Sequence, residues 1–346
     1  MSIRQAIALL VEGQALTEEQ AAAAMQELVD GTATPAQIGA FATALRMKGE
    51  TAEELAGLVR VMRGALIPVE VDGSVVDTAG TGGDGACTFN ISTVAAIVAA
   101  GAGARVAKHG NRAASSACGS ADLLEGMGVV IDLPPAGVAE CVATIGIGFM
   151  YAPLFHPALR HAVGPRRELG IRTVFNLLGP LLNPARAQAQ ILGVSVPEMA
   201  GTMAEVLRRT GSRHALVVYG EDGVDELSLS APSVVHEVVD GTVRRYTVSP
   251  EDVGLGRAPR EVLMTDSVAA SAARAQAVLG GEHGPARDVV LLNAAGTLLA
   301  ADLVADLREG IGVAAESIDS GAAASRLDAL RALTQELKAR AEGVPA

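Results

Sequence analysis

Hydrophobic and polar positions change period near residue 67. Before it, apolar side chains recur at three- and four-residue spacings: Ile3, Ile7 and Leu10; Ala24 and Leu28; Ile38, Phe41 and Leu45; Leu55, Leu58, Val59 and Met62. This is the spacing of amphipathic helices. Their starts are marked by hydroxyls able to cap a first turn: Thr17 before Glu18-Glu19-Gln20, Thr34 before Pro35, Thr51 before Ala52-Glu53-Glu54. Four short helices around a core of their own are predicted for residues 1–66.

Beyond residue 67 the β-branched Val69, Val71, Val75 and Val76 run into a glycine-rich turn, DTAGTGGDG at 77–85. The pattern then predicts an Ala/Val helix over 92–102, a strand over 104–107, a polar turn over 108–116, a helix over 121–128 and a strand over 129–133. The uncharged run 141–159 contains Pro153, His156 and Pro157 and reads as helix, turn and loop. The alternation resumes with a strand over 190–196, a helix over 197–210 and a strand over 214–220. Residues 235–250 read as an antiparallel pair turning at Asp240-Gly241. A strand over 289–295 and two helices complete the chain. Strand, loop and helix in alternation predict a parallel sheet covered by helices. Residues 164–186, rich in proline and arginine, interrupt the rhythm and pack between the helical and sheet parts. The expected fold is therefore α/β: a small N-terminal all-helical domain (1–66, joined by 164–186) and a larger α/β domain (67–163 and 187–346) with a mostly parallel central sheet flanked by helices.

Composition narrows the function. With 27 basic and 39 acidic residues the 346-residue chain carries a net charge of −12, and aromatics are 2%. Sequence-blind nucleic-acid binding wants a basic face and stacking rings, so nucleic acid is not an expected partner. Cys87, Cys118 and Cys141 form no CxxC pair, which argues against a disulfide scaffold or structural zinc. No signal-peptide pattern or plausible membrane span is legible, and a cytoplasmic location is expected.

Against this acidic background three loops stand out. The glycines of 80–85 can present successive amides to an anion, and they lead through Thr88 and Asn90 to Ser92 and Thr93 at a helix start. Unpaired N–H groups and the helix dipole favour phosphate there. Gly80, Gly82 and Gly85 also fit G-x-G-x-x-G. That fingerprint, however, needs a helix opening at the glycines and an acid about twenty residues on, and both are missing. Lys108, one of three lysines, heads a second polar loop with His109, Gly110, Asn111 and Arg112 at the end of a strand. Ligands bind at that end of open α/β sheets. Asp225 and Glu226 supply hard oxygen ligands suited to Mg²⁺ shared with substrate phosphates. Arg166 is placed to clamp a carboxylate.

Six segments in order carry a resemblance: GTGGD at 80–84, TFNIST at 88–93, KHGNR at 108–112, SSACGSAD at 115–122, RRELGIRTVFNLLGPLLNP at 166–184 and DGVDELS at 222–228. Together they resemble the anthranilate phosphoribosyltransferases of tryptophan biosynthesis. The resemblance implies transfer of phosphoribose from phosphoribosyl pyrophosphate (PRPP) to the amine of anthranilate, by a homodimer using two Mg²⁺ per site. It places Gly80, Gly83, Asp84, Thr88, Asn90, Ile91, Ser92 and Thr93 at PRPP. With them go Lys108, His109, Gly110, Asn111, Arg112, Ala113, Ala114, Ser115 and Ser116, and Ser120. Ser92, Asp225 and Glu226 would bind metal. Gly80, Asn111 and Arg166, with His109 and Pro180 nearby, would meet anthranilate. No obligatory general base is expected, because the arylamine needs no deprotonation before attack. The alternatives are a pyrimidine-nucleoside phosphorylase and a non-catalytic nucleic-acid-binding relative. The first needs no Asp-Glu metal pair, and the second should be basic.

Overall fold

A computed structural model describes residues 1–113 and 117–343. The chain opens with α1 (Ile3–Val11), α2 (Glu18–Val29), α3 (Pro35–Lys48) and α4 (Ala52–Ala65). Each begins with a reciprocal capping box, Ser2/Gln5, Thr17/Gln20, Thr34/Gln37 and Thr51/Glu54, so both orphan donors of the first turn are satisfied. The larger part follows as β1 (Val76–Gly80), α5 (Ile91–Gly101), β2 (Val106–Gly110), α6 (Ser120–Gly126), α7 (Pro135–Ile145) and β3 (Ile147–Tyr151). Then come α8 (Ala152–Phe155), α9 (Arg160–Leu169), α10 (Val174–Leu178), β4 (Ala189–Gly193), α11 (Pro197–Arg209) and β5 (His214–Gly220). The chain ends with β6 (Ser233–Val239), β7 (Thr242–Val248), α12 (Val268–Leu279), α13 (Pro285–Ala300), α14 (Leu307–Asp319) and α15 (Ala322–Glu342).

The seven strands are ordered β3-β2-β1-β4-β5-β6-β7. The first five in that order are parallel and the β5-β6-β7 pairings antiparallel. The β6-β7 turn has φ of 45° at Asp240 and 81° at Gly241, the left-handed pair of a type I′ turn. One face of the sheet is covered by α5, α13 and their neighbours. The other face shares a single core with the N-terminal helices: Leu192, Val217 and Val238 of the strands, Met203 and Leu207 of α11, Phe175 of α10, and Phe41, Leu58 and Met62. Arg63 of α4 ties the same seam, donating to the carbonyls of Leu181 and Thr210 at 3.1 Å each. No helix among the described residues is long and apolar enough to cross a membrane.

The structure departs from the sequence pattern in three places. Residues 129–133 form no strand. Their backbone turns to α15 instead, with Val130 N donating to Thr334 Oγ1 at 3.1 Å, and the sheet position goes to β3 inside the uncharged run. Residues 289–295 lie within α13, a helix buried on nearly every side, whose apolar run carries no strand-or-helix period. Finally, β2 reaches Gly110, so Lys108 and His109 are strand residues rather than turn residues.

Candidate active site

Strand order reverses between β1 and β4: the chain crosses from β1 to β2 on one side and returns to β4 on the other. The crevice at the carboxyl ends of two such strands is the expected ligand site of an open α/β sheet. The loop after β1 carries the glycines, with φ of 62° at Gly82, 75° at Gly83 and 68° at Gly85. It leads to Asn90, whose side chain caps α5 by accepting from Thr93 N at 3.1 Å. The neighbouring Ile91 and Ser92 open that helix. The end of the loop is pinned by Phe89 N, which donates to Leu263 O at 2.9 Å, and by a bridge from Thr88 to Met264.

Asp225 enters this crevice because two strand ends lack side chains. A Cβ at Gly193 would lie 1.6 Å from the Asp225 carbonyl oxygen, and one at Gly80 would lie 2.5 Å from Oδ2. Asp225 Oδ2 accepts from Gly82 N at 2.7 Å. Burial, then the nearby charge of Asp84, push its carboxyl up to about 7. Burial and Asp225 hold Glu226 well above the usual range. Two buried carboxyls, with the half-exposed Asp84 near them, thus crowd one corner, an arrangement that a divalent cation relieves. A small opening of about 10 Å³, lined by Thr78, Ser92, Gly193, Glu226, Asn293 and Thr297, is of the size of one water or ion. Among the described residues no three His, Cys, Asp or Glu side chains form a complete metal cage. The donor set fits an ion that shares its coordination with substrate oxygens.

Lys108 lies beneath the crevice rather than projecting into it, only 3% exposed. Its ammonium donates to Thr78 O, to Thr78 Oγ1 at 2.8 Å and to Ser92 Oγ at 3.3 Å, which engages all three hydrogens. Burial lowers its pKa to about 8, while Asp77 and Glu226 oppose that fall. It works as a fixed positive charge under the start of α5. Asp77, which the sequence reading passed over, aligns the end of β2 by accepting from His109 N at 3.0 Å.

The second loop is held by its own residues. Arg112 forks Glu125 at 2.5 and 2.9 Å and reaches Asp122 at 3.1 Å, so its guanidinium is engaged within the protein. Ala113 N donates to Asp122 Oδ2 at 2.8 Å, and Ser120 Oγ donates to Asn111 O at 3.3 Å. Gly110 is required here, since a Cβ would lie 2.1 Å from Ser120 Oγ. Ala114, Ser115 and Ser116 lie outside the described residues. His109 Nε2 meets Nε2 of the buried His156 at 3.0 Å. Burial, reinforced by His156, lowers His109 to about 3, and burial lowers His156 to about 4, so both rings are neutral near pH 7.

Arg166, on α9, stands 5.6 Å from the Phe175 ring centre, and burial depresses its pKa. Among the described residues it pairs with no carboxylate. No hydrogen bond joins it to Gly80, Asn111, His109 or Pro180. Pro180 itself is anchored by Gln190 Nε2, which donates to its carbonyl at 2.8 Å. The sequence reading also missed Arg172, which reaches the glycine loop by donating to Thr81 O at 2.8 Å, and Ser195, which donates to Gly82 O at 2.8 Å. Both sit on connections whose proximity to the loop only the β1-β4 pairing reveals.

Comparison with known proteins gives the family. Residues 4–65 match the model of the glycosyl transferase family helical bundle domain, and residues 72–324 match that of the family's a/b domain. The chain is similar to the anthranilate phosphoribosyltransferase of Chloroflexus aurantiacus, 57% identical over 97% of this chain and 99% of the relative. It is likewise similar to that of Roseiflexus castenholzii, 59% identical over 95% and 98%. Among solved structures, anthranilate phosphoribosyltransferase from Thermus thermophilus superposes with a TM-score of 0.90 at 45% identity, covering 95% of this chain and 99% of the other. The enzyme from Saccharomyces cerevisiae in complex with PRPP and Mg superposes with a TM-score of 0.88 at 28% identity, covering 96% and 98%. Likeness of this depth over almost the full length means that the chain belongs to the anthranilate phosphoribosyltransferases, within the glycosyl transferase family.

Proposed function

We propose that this chain transfers the 5-phosphoribosyl group of PRPP to the amine of anthranilate, giving N-(5-phosphoribosyl)anthranilate and pyrophosphate, a step of tryptophan biosynthesis. The observation that carries the reading is the glycine loop facing clustered carboxylates at the β1-β4 crevice, in a chain whose close relatives bear this activity. The loop amides around Gly82, Gly83 and Asp84 and the start of α5 at Asn90 to Thr93 cradle the phosphates. Lys108 adds its field from below. Ser92, Asp225 and Glu226 hold Mg²⁺, two ions per site, and when bound this metal offsets the charge growing on the departing pyrophosphate.

As the bond between the anomeric carbon and the pyrophosphate oxygen breaks, its electron pair leaves with pyrophosphate. The arylamine nitrogen bonds to the same carbon from the opposite face and then loses its proton to solvent. No general base is needed for this proton, and His109, kept neutral by burial and by its contact with His156, need not take part, which fits a reaction driven by positioning and charge stabilisation. Arg166, a partly buried guanidinium without a described carboxylate partner, supplies a clamp for the anthranilate carboxylate, and the family resemblance assigns Gly80, Asn111, His109 and Pro180 to the same substrate.

The same proposal includes a homodimer formed through the helical part, supported by exposed apolar side chains on α1, α3 and α9. It also includes a cytoplasmic enzyme, supported by the biosynthetic relatives. The test is anthranilate's own fluorescence. Its decay on mixing protein, PRPP and Mg²⁺, with no decay when any one is omitted, supports the reading. Undiminished fluorescence with PRPP bound would move the acceptor to another aromatic amine.

A further inference from the structure

The three residues at the head of the glycine loop are held from three directions. Thr81 N donates to Gly193 O at 2.9 Å, and Ser195 closes the β4 side by donating from N to Thr81 Oγ1 at 3.1 Å and from Oγ to Gly82 O. Asp225 takes Gly82 N from the opposite side. The third hold is Arg172. Its guanidinium donates to Thr81 O at 2.8 Å and fills the space beside Gly83, where a Cβ would fall 1.8 Å from Nη1. Arg172 stands between the left-handed Gly170 that ends α9 and the Thr173 that opens α10. α10 packs into the core shared with the N-terminal helices. The side chain thus joins the crossover segment to the phosphate loop. It borders a cavity of about 90 Å³ that Arg46 and Glu50 of the helical part also line. Burial lowers the pKa of its guanidinium, Asp225 and Asp84 oppose that fall, and Arg46 adds to it.

We propose that Arg172 is a positioning residue for the transfer: by holding Thr81 O and the bare face of Gly83, it keeps the loop in the shape that offers its amides to the pyrophosphate of PRPP. Its contacts are with the loop itself, through which it acts. Its charge beside Asp84 and Asp225 also limits their mutual repulsion before a cation arrives. The proposal rests on the assignment of this loop to PRPP. Its first test does not.

In ligand-free protein, amide hydrogen exchange of a peptide spanning 80–90 should quicken by about tenfold in Arg172→Gln, with the central strands unchanged. That is the scale of one lost charge-assisted hydrogen bond. Steady-state kinetics on the same variant should show the KM for PRPP raised by about tenfold and the KM for anthranilate moved by less than about twofold. Arg172→Lys, which keeps the charge and one donor, should recover part of the PRPP effect. Unchanged loop exchange in Arg172→Gln overturns the latch. Faster exchange with an unaltered KM for PRPP, or equal rises in both KM values with a lower Tm, reduces Arg172 to a structural role and overturns the positioning assignment. Faster exchange in a protein inactive towards anthranilate places the failure in the acceptor assignment and leaves the latch standing.

Discussion

Two missing methyl groups decide where the Asp225 carboxylate, proposed above as a metal ligand, stands. Gly193 and Gly80 carry no side chain, and Asp225 fills the space that a side chain would have taken. Gly193→Ala would set a carbon 1.6 Å from a backbone carbonyl oxygen, which only a shift of the whole 222–226 turn could relieve. We expect turnover to fall by at least about a hundredfold, since misplacement by an ångström costs that much. Melting should be shifted far less, and a progress curve with a parallel thermal scan checks both. The neighbouring imidazoles give a pH signature. Unfolded, His109 and His156 would take protons near pH 6.5. Folded, they do so only at about 3 and about 4. Below pH 6.5 the unfolded state therefore binds more protons, and stability must decline as pH falls from 6.5 towards 4. His156→Gln should flatten that decline, as followed by urea midpoints between pH 7 and 4. At this scale the sequence was informative about which residues matter and silent about how they face. Asp225, Glu226 and the glycines stood out by type and order. The burial of Lys108 and the involvement of Arg172 and Ser195 depend on a strand pairing that no local pattern encodes.

Elements were most legible where local chemistry specifies them. Cap, first-turn acid and apolar spacing marked the N-terminal helices, and Asp240-Gly241 marked its hairpin through the left-handed angles that the turn needs. Legibility failed where both faces are buried. α13 has apolar neighbours nearly all round, so residues 289–295 look alike as strand or helix, and β3 was concealed within an uncharged run by flanking prolines. The caps also carry load beyond the first turn. Glu54 of the α4 box is fully buried, accepts from Leu16 N at 2.9 Å and pairs with Lys48 at 2.9 Å. Glu54→Gln leaves Lys48 without its counter-charge in a nearly closed site. We expect a loss of about 3 kcal/mol, the usual scale for breaking a buried pair, measurable by denaturant unfolding.

For the whole molecule, strand order is the property that gathers dispersed motifs into one crevice; the alternation predicted a parallel sheet but not the order of its strands, which long-range pairing alone decides. The outer surface carries its own signal. Val11, Met47 and Val163 are 72%, 85% and 58% exposed on α1, α3 and α9, helices that pack side by side. These side chains are where the proposed dimer contact is placed. Met47→Glu should convert the proposed dimer to monomer by light scattering while leaving far-ultraviolet circular dichroism unchanged.

The core that runs from Phe41 and Met62 through Phe175 and Leu207 to Leu192 and Val217 makes the helical bundle and the sheet one thermodynamic body. Cutting the chain in the 66–72 connection would not release two independent folding units. It would strip α11 and one sheet face of their apolar cover. Calorimetry of the intact protein should accordingly record a single endotherm, with van't Hoff and calorimetric enthalpies in agreement. A fragment beginning at residue 67 should aggregate rather than melt. Substrate-driven movement of the bundle against the sheet is favoured as sliding within this shared interior, because full separation would expose its apolar side chains to water.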